Sequence, residues 1–508
     1  MKKRLIVLTV LIALLVPTLT AQGGGFGASV MEWVRDHVGM EIGSVMIDGT
    51  SYSKVVVSPE VRIGRLELGL YLPVIYSSDL FDPSSWYRPK GNNEWDFGAA
   101  YWGSDNVKGA LDLAADLILK IKYLEYGEPL EDIFFIKLGN LHGLSIGHGL
   151  IMRDYRNDSD FPSVRRVGVN TGIDFGGFGF EALVNDLPIP QIYGTRLYFR
   201  PFKASKLAIG VSGVADIDAA AELEGTIYDG LAGSFGFLGA GLDLDLPIIK
   251  SSPALGLRAF ADVAATIPYL GSAVINPDTG LPISEGLKTE LLWDGGPHNW
   301  GAATGFMGNL AFIDWRLEYR YFTGLFRPAF FDATYERTRS SLVQDYLPYL
   351  DGTKQISSDA PTVMGIYGEA GFSLFKDKLS LVAGYMWPWT PKDGFTISAD
   401  ADDELRAGLL LKRGLVPVVD LAGAIYYDKR GIVNSIQTNS FTFFDEKTAF
   451  AGEIEIPIPK TPNLAIGLIF KMVAARNPAT GQVIYVSDDP TKGVKMEPTV
   501  TLETRFRF

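Results

Sequence analysis

Four histidines, His37, His142, His148 and His298, stand in a chain of 508 residues that has no cysteine. Without thiols there are no disulfides, no thiolate metal sites and no cysteine nucleophile. A serine nucleophile needs a histidine base and a third group to orient it. The nearest pairing is His142-Gly143-Leu144-Ser145, and no third member is recognisable beside it. Acidic residues gather at Asp158 and Asp160, at Asp400, Asp402 and Asp403, and at Asp488-Asp489. The fixed ligand spacing of a calcium loop is missing from all three, so they read as solvated loop tips. No phosphate-binding glycine loop, zinc-helix motif or nucleophile elbow occurs. The chain therefore reads as a non-enzyme with no cofactor and no metal. A formal charge of −13 gives no footing for nucleic acid.

The charged residues that remain recur at every second position. Around the Asn309-Leu310 turn, Ile313, Trp315, Leu317, Tyr319 and Tyr321 alternate with Asp314, Arg316, Glu318 and Arg320. Successive side chains of a strand point to opposite faces, so this strand has one apolar and one charged side. A soluble core strand cannot bury four alternating charges, and a half-exposed one needs no such aromatic band opposite. Lipid on one side and a watery lumen on the other account for both faces. The same alternation places Arg196, Arg200, Arg258, Asp262, Arg406, Asp420, Glu453 and Glu455 on lumen-facing positions, together with Asp314, Arg316, Glu318 and Arg320. Gly147-His148-Gly149 reads as a bulged strand near a rim, with a narrow spot lining the lumen as the other reading.

Segments of this kind run from Met40 to the end of the chain, with 56 glycines and 12% aromatic residues among them. Turn signals such as Asp48-Gly49 separate them. Counting gives 21 strands, including 109–123 (its first half could be helical), 143–152 and 415–428. A single-chain barrel usually has an even number, so one of these is wrong, and the alternation of long and short connections places the error before about residue 130. The expectation is an all-β chain: one transmembrane antiparallel β-barrel of about 20 strands, with 18 to 22 as the range, long extracellular loops and short periplasmic turns. Residues 74–108, rich in Pro, Asp, Asn and Trp, form a long insertion and the candidate obstruction of the lumen.

The last segment repeats the pattern and ends on Phe508. Val500, Leu502, Phe506 and Phe508 lie on one face, and Thr499, Thr501, Glu503 and Arg505 on the other. In these residues the chain resembles the bacterial outer-membrane β-barrel class, whose assembly signal alternates apolar residues and ends in Phe. Thr504 departs from it, since that place is more often apolar. The resemblance implies a bacterial outer-membrane location and three partners: the bilayer, lipopolysaccharide or another outer-leaflet lipid, and the barrel-assembly machinery. Enzymatic members of the class use His-x-Ser, and His142 to Ser145 departs from that spacing.

The start of the chain agrees with export. Lys2, Lys3 and Arg4 precede the apolar stretch Leu5 to Val16, and Ala21-Gln22 suits cleavage, so 1–21 reads as a signal peptide. Residues 22–38 read as a short periplasmic or plug lead-in, and 39–508 as the barrel. No later run reaches the roughly 18 apolar residues of a spanning helix. A barrel of about 20 strands is too wide for its own side chains to fill. The expected function is thus a water-filled pore or transporter for small solutes, with passive diffusion through a mixed-charge lumen. The alternatives are an uptake channel for hydrophobic compounds and a surface or adhesion barrel that acts through its long loops.

Overall fold

The computed structural model describes residues 39–506 except 48, 88–94, 130, 203–206, 251, 253, 393, 399–401, 416–419, 462, 478–480 and 488. The expected signal peptide 1–21, the lead-in 22–38, Asp400 and Phe508 lie outside the described residues.

The chain forms one large antiparallel sheet of 23 strand segments, with few helices. In order, the long strands are Met40–Ile47, Thr50–Val57 with Glu60–Ile63, Leu66–Leu70 with Leu72–Tyr76, Ile121–Tyr126, Phe134–Gly139, Gly168–Asp174, Phe178–Val184, Ile192–Phe199, Ala208–Asp216, Phe235–Ile249 and Leu255–Leu270. Then come Trp300–Leu310, Ile313–Thr323, Thr362–Leu374, Leu379–Trp389, Glu404–Leu411, Ala422–Arg430, Thr448–Pro457, Leu464–Ala474 and Met496–Phe506. The two split strands form one hairpin in one register, with Val57 opposite Leu72 and Glu60 opposite Gly69. Each strand pairs with its neighbours in sequence. The first also pairs with the last, Met40 opposite Phe506 and Val45 opposite Thr501.

The two faces of this sheet are inverted relative to a soluble protein. Leu317 is 52% exposed and Tyr319 42%, while Glu318 and Arg320 between and beside them are 2% exposed. Leu242 and Leu244 are exposed around a buried Asp243, and Leu502 is exposed beside a buried Glu503. The alternation read from the sequence therefore sets the two faces, and the charged one points inward.

From residue 64 on, most connections alternate in length. Those at 64–65, 175–177, 311–312 and 375–378 are short, while 77–120, 140–167, 217–234, 271–299, 324–361 and 475–495 are long. Both ends of the described chain lie with the short turns, because Met40 faces Phe506. Two long connections fold back against the inner face. In one, Ile151, Met152 and Tyr155 are buried; in the other, Phe330, Phe331 and most of the helix Tyr335–Leu350 are. Met152 bridges Phe331 in parallel, and the amide of Arg153 donates to the Phe331 carbonyl at 3.0 Å. Their apolar side chains form one cluster with Val214, Phe235, Phe237, Ala264 and Phe322 of the sheet.

Several expectations are corrected. Residues 143–152 are no strand; they belong to the inserted connection, and Gly147-His148-Gly149 is neither bulge nor rim. The odd count came from this segment, just after residue 130 rather than before it. The stretch 109–123 divides: Asn106–Leu119 is the helix allowed for its first half, capped by Asp105, which accepts from the amides of Val107 and Lys108 at 3.1 and 3.0 Å, and the strand begins only at Ile121. Asp420 is not on the wall: it sits in the turn before Ala422–Arg430, at φ +47°, and accepts from the Gly414 amide at 2.6 Å. Beside the insertion 74–108, the connections 140–167 and 324–361 pack into the interior. The earlier insertion contributes Tyr87, packed on Val45, Ile47 and Ile75 at the sheet's edge.

The junction of first and last strands gives a test. A Cβ on Gly43 would meet the Leu502 carbonyl and the Glu503 backbone, whereas one on Gly177 meets nothing. Gly43→Val should abolish the compact, heat-modifiable form in a detergent gel, and Gly177→Val should leave it intact. Normal assembly of Gly43→Val would mean the two strands do not pair.

Candidate functional site

Taking a charge out of water is costly unless a partner and hydrogen bonds replace the water. The inner face meets this demand by pairing, partly strand to strand and partly strand to inserted segment. Arg196 donates to Asp243 at 3.0 and 2.5 Å, Arg200 pairs with Asp174 at 2.9 Å, and Arg258 reaches Asp245 at 3.1 Å. Arg316 and Arg320 both hold Glu318 at 2.5 Å. Arg406 meets Glu404 at 3.1 Å, Asp428 at 3.3 Å and Asp154 of the inserted segment. Glu453 and Glu455 share Arg505, Glu455 at 3.1 Å. Asp314 is exposed at the turn end of its strand. Val500, Leu502 and Phe506 face outward, opposite to Thr499, Thr501, Glu503 and Arg505.

The segment 140–167 is fastened residue by residue. His148 Nδ1 lies 2.8 Å from Asp262 and Nε2 3.9 Å from Asp245, with the ring against Phe260. Arg153 donates to Glu369 at 2.9 Å and lies over the Tyr367 ring. The Tyr155 hydroxyl donates to Glu336 of the helix. Asp160 pairs with Arg337 at 2.8 Å and Arg476 at 3.3 Å. Burial works to raise the Asp160 carboxyl, but Arg337 and Arg476 outweigh it and hold it down at about 2. Burial likewise works to discharge His148, yet the carboxylates of Asp245 and Asp262 outweigh it and push the imidazole up to about 9.

Below this segment a cavity of about 500 Å³ remains. Its walls come from the first strands, the strands around 121–139 and the last four strands, and it reaches the turn at Glu128 and Glu131. Its roof is His142, Asp158 and Phe161 of the inserted segment with Lys471 of the wall. Lys54 bridges Glu41 and Glu503, both at 2.6 Å, and Arg505 reaches Glu503 at 2.7 Å. Of the lumen-facing residues named from sequence, Glu453 lines this cavity. The others mostly serve to hold the inserted segments or to pair along the wall. Sequence reading missed Lys54, Lys471 and Asp158 as site residues. Lys54 and Lys471 sit on alternating strands and carried the usual signal; Asp158 lies in an irregular stretch and had none. Sequence reading also missed a triad of carboxylates, Asp96, Asp112 and Asp116, which lie within 4.8 Å of one another beside the helix Asn106–Leu119.

No family model matches this chain, and no curated protein matches it. Among solved structures it is similar to OccAB4 of Acinetobacter baumannii at 8% identity, covering 93% of this chain and 98% of that one, with a TM-score of 0.30. The FrpB iron transporter from Neisseria meningitidis, F3-3 variant, is similar at 9% identity over 95% and 83% of the two chains, with a TM-score of 0.35. The siderophore receptor PiuA from Acinetobacter baumannii follows at 8% identity, 92% and 81%, with a TM-score of 0.36. At TM-scores below 0.5 none of them bears on what this chain does.

The pairing of His148 predicts a pH dependence. Its folded value, about 9, is above the ordinary 6.5, so its contribution is full below pH 6.5 and is lost as pH rises through about 9. Hydrogen exchange at Ile146 to Arg153, corrected for the intrinsic rise with pH, should accelerate between pH 6.5 and 9.5. In His148→Gln the corrected rates should be raised throughout and flat with pH. A flat native profile would remove His148 from the fastening.

Proposed function

We propose that this chain is an outer-membrane transport barrel. In this reading the sheet is a closed, transmembrane antiparallel barrel of 20 strands that spans the bacterial outer membrane. Its long connections are extracellular and its short turns periplasmic. The lumen is blocked at the loop end by 140–167 and 324–361 and keeps a charged cavity toward the turns, through which small polar solutes pass once the inserted segments yield. The observation that carries this is the inverted burial: charged side chains inside, Leu, Ile and aromatic side chains outside on strand after strand. Only helices and closed barrels satisfy the backbone in lipid, and the pairing of first with last strand supports closure. Lipid and lipopolysaccharide meet the outer face, and Val500, Leu502 and Phe506 serve the assembly machinery.

The blocked lumen sets this apart from a steadily open pore. Planar-bilayer recording should show little steady current in the native protein. Arg153→Ala with Asp154→Ala removes two of the fastenings, and openings should become at least several-fold more frequent. No current from either protein, with loop-dependent binding of surface ligands instead, would favour the adhesion reading. The membrane placement has its own test. Leu317→Arg on the outer face should cost roughly 2–4 kcal/mol of stability in lipid if it lies near the bilayer midplane. A cost near zero would place that face in water.

A further inference from the structure

The cavity is not evenly charged along its length. At the roof, Lys471 has one carboxylate within 4 Å among the described residues, Asp158 at 3.9 Å, and Asp158 is also taken by His142 at 3.1 Å. Arg156 lies just behind, 5% exposed, its guanidinium carbon 3.9 Å from the centre of the Tyr426 ring. Among the described residues it has no carboxylate partner, and its Nε has no hydrogen bond. Directly across from Lys471 on the neighbouring strand is Thr499, 2% exposed, which lines the cavity and whose buried hydroxyl has no hydrogen-bond partner among the described residues. Lys471 thus shares its one carboxylate with His142, the buried Arg156 guanidinium stands behind it, and a buried hydroxyl lies beside them.

The lower wall has the opposite balance. Among the described residues that line it, Glu41, Glu453 and Glu503 share Lys54 and Arg505, three carboxylates to two cations. The register fixes the spacing between the two zones. Lys471 lies level with Thr499, Glu453 level with Thr501, and Glu503 level with Gly467. Glu453 is therefore two residues, about 7 Å, and Glu503 four residues, about 13 Å, below the roof lysine along the strands.

We propose that the cavity binds a short zwitterionic peptide, its carboxylate at Lys471 and Thr499 with the Arg156 charge behind them, and its ammonium at the Glu453–Glu503 wall. An extended peptide spans about 3.3–3.6 Å per residue, so ends 7–13 Å apart correspond to roughly two to four residues. A simple anion would satisfy the roof and leave the excess carboxylate below it unmatched; a simple cation would do the reverse. The proposal rests on the transport reading for its biological purpose, but binding itself can be measured without transport.

The test is calorimetric titration of the full chain in detergent with triglycine, N-acetyl-triglycine and triglycine amide. Triglycine should bind, and each capped form should bind at least about tenfold more weakly, since each lacks one charge-assisted set of hydrogen bonds. Lys471→Met should weaken triglycine and N-acetyl-triglycine and leave triglycine amide unchanged. Arg156→Gln, which leaves the barrel wall intact, should shift the three ligands in the same direction as Lys471→Met. Equal affinity for the three ligands, or no heat from any, overturns the proposal in the native protein alone, whatever the variants do. Flux of triglycine into liposomes separates the two readings: binding without flux keeps this site and sinks transport, and flux without discrimination among the three sinks this site.

Discussion

The rest of the structure depends on the pairing of charges that the sheet turns away from water. Strand alternation puts an ionisable side chain on the inner face every few residues, and that face is packed rather than open. A lone buried charge costs several kcal/mol, and removing one member of a buried pair typically costs about 3–5 kcal/mol. Each inner-face charge therefore dictates what must stand opposite. Arg406 needs Asp154 as well as its own wall partners, and Glu369 needs Arg153. The wall and the inserted segments are complementary because neither can be left with the charges of the other unmatched.

Pairing and apolar packing divide the work. The cluster of Ile151, Met152, Phe330, Phe331, Tyr346 and Leu347 holds the two inserted segments to each other and to Phe235 and Phe237 of the wall. Apolar contact of this sort is insensitive to small slips. The ion pairs are not: His148 can meet Asp262 and Asp245 together in one placement, and Asp160 can meet Arg337 and Arg476 in one placement. The hydrophobic cluster supplies adhesion and the charges supply register.

What was legible in the sequence was whatever the strand repeat controls. The alternation in Ile313–Thr323 and Met496–Phe506 gave both faces, because a period of two is a local property of the backbone. The segment 143–152 failed for the same reason. Ile146, Leu150, Ile151 and Met152 are apolar because they are buried in the interior, and short buried runs look alike whether or not they are strands. Asp420 failed because it alternates with its neighbours in sequence but sits in a turn at positive φ. The helix Asn106–Leu119 was visible in Asp105, a capping residue, but its Leu pattern also fits a strand. Pairing partners far apart in sequence, such as Asp154 with Arg406, carry no local signal, so the fastening of the plug and the roof of the cavity could not be read.

The distribution of unmatched charge follows from where packing stops. Against the inserted segments, acids and bases meet in small groups: Arg476 with Asp160 and Glu222, and Arg430 with Asp332. There a leftover charge has little water to turn to, and most sets close. Around the cavity a leftover charge can be solvated, and the constraint relaxes. That is where Lys471 and the carboxylates from Glu41 to Glu503 depart from one-to-one matching. A protein that only needed a sealed barrel would gain nothing from carrying the imbalance on opposite ends of one cavity. Unmatched charges around a cavity act on whatever charged group enters it, and this is the physical basis of the proposed preference among solutes.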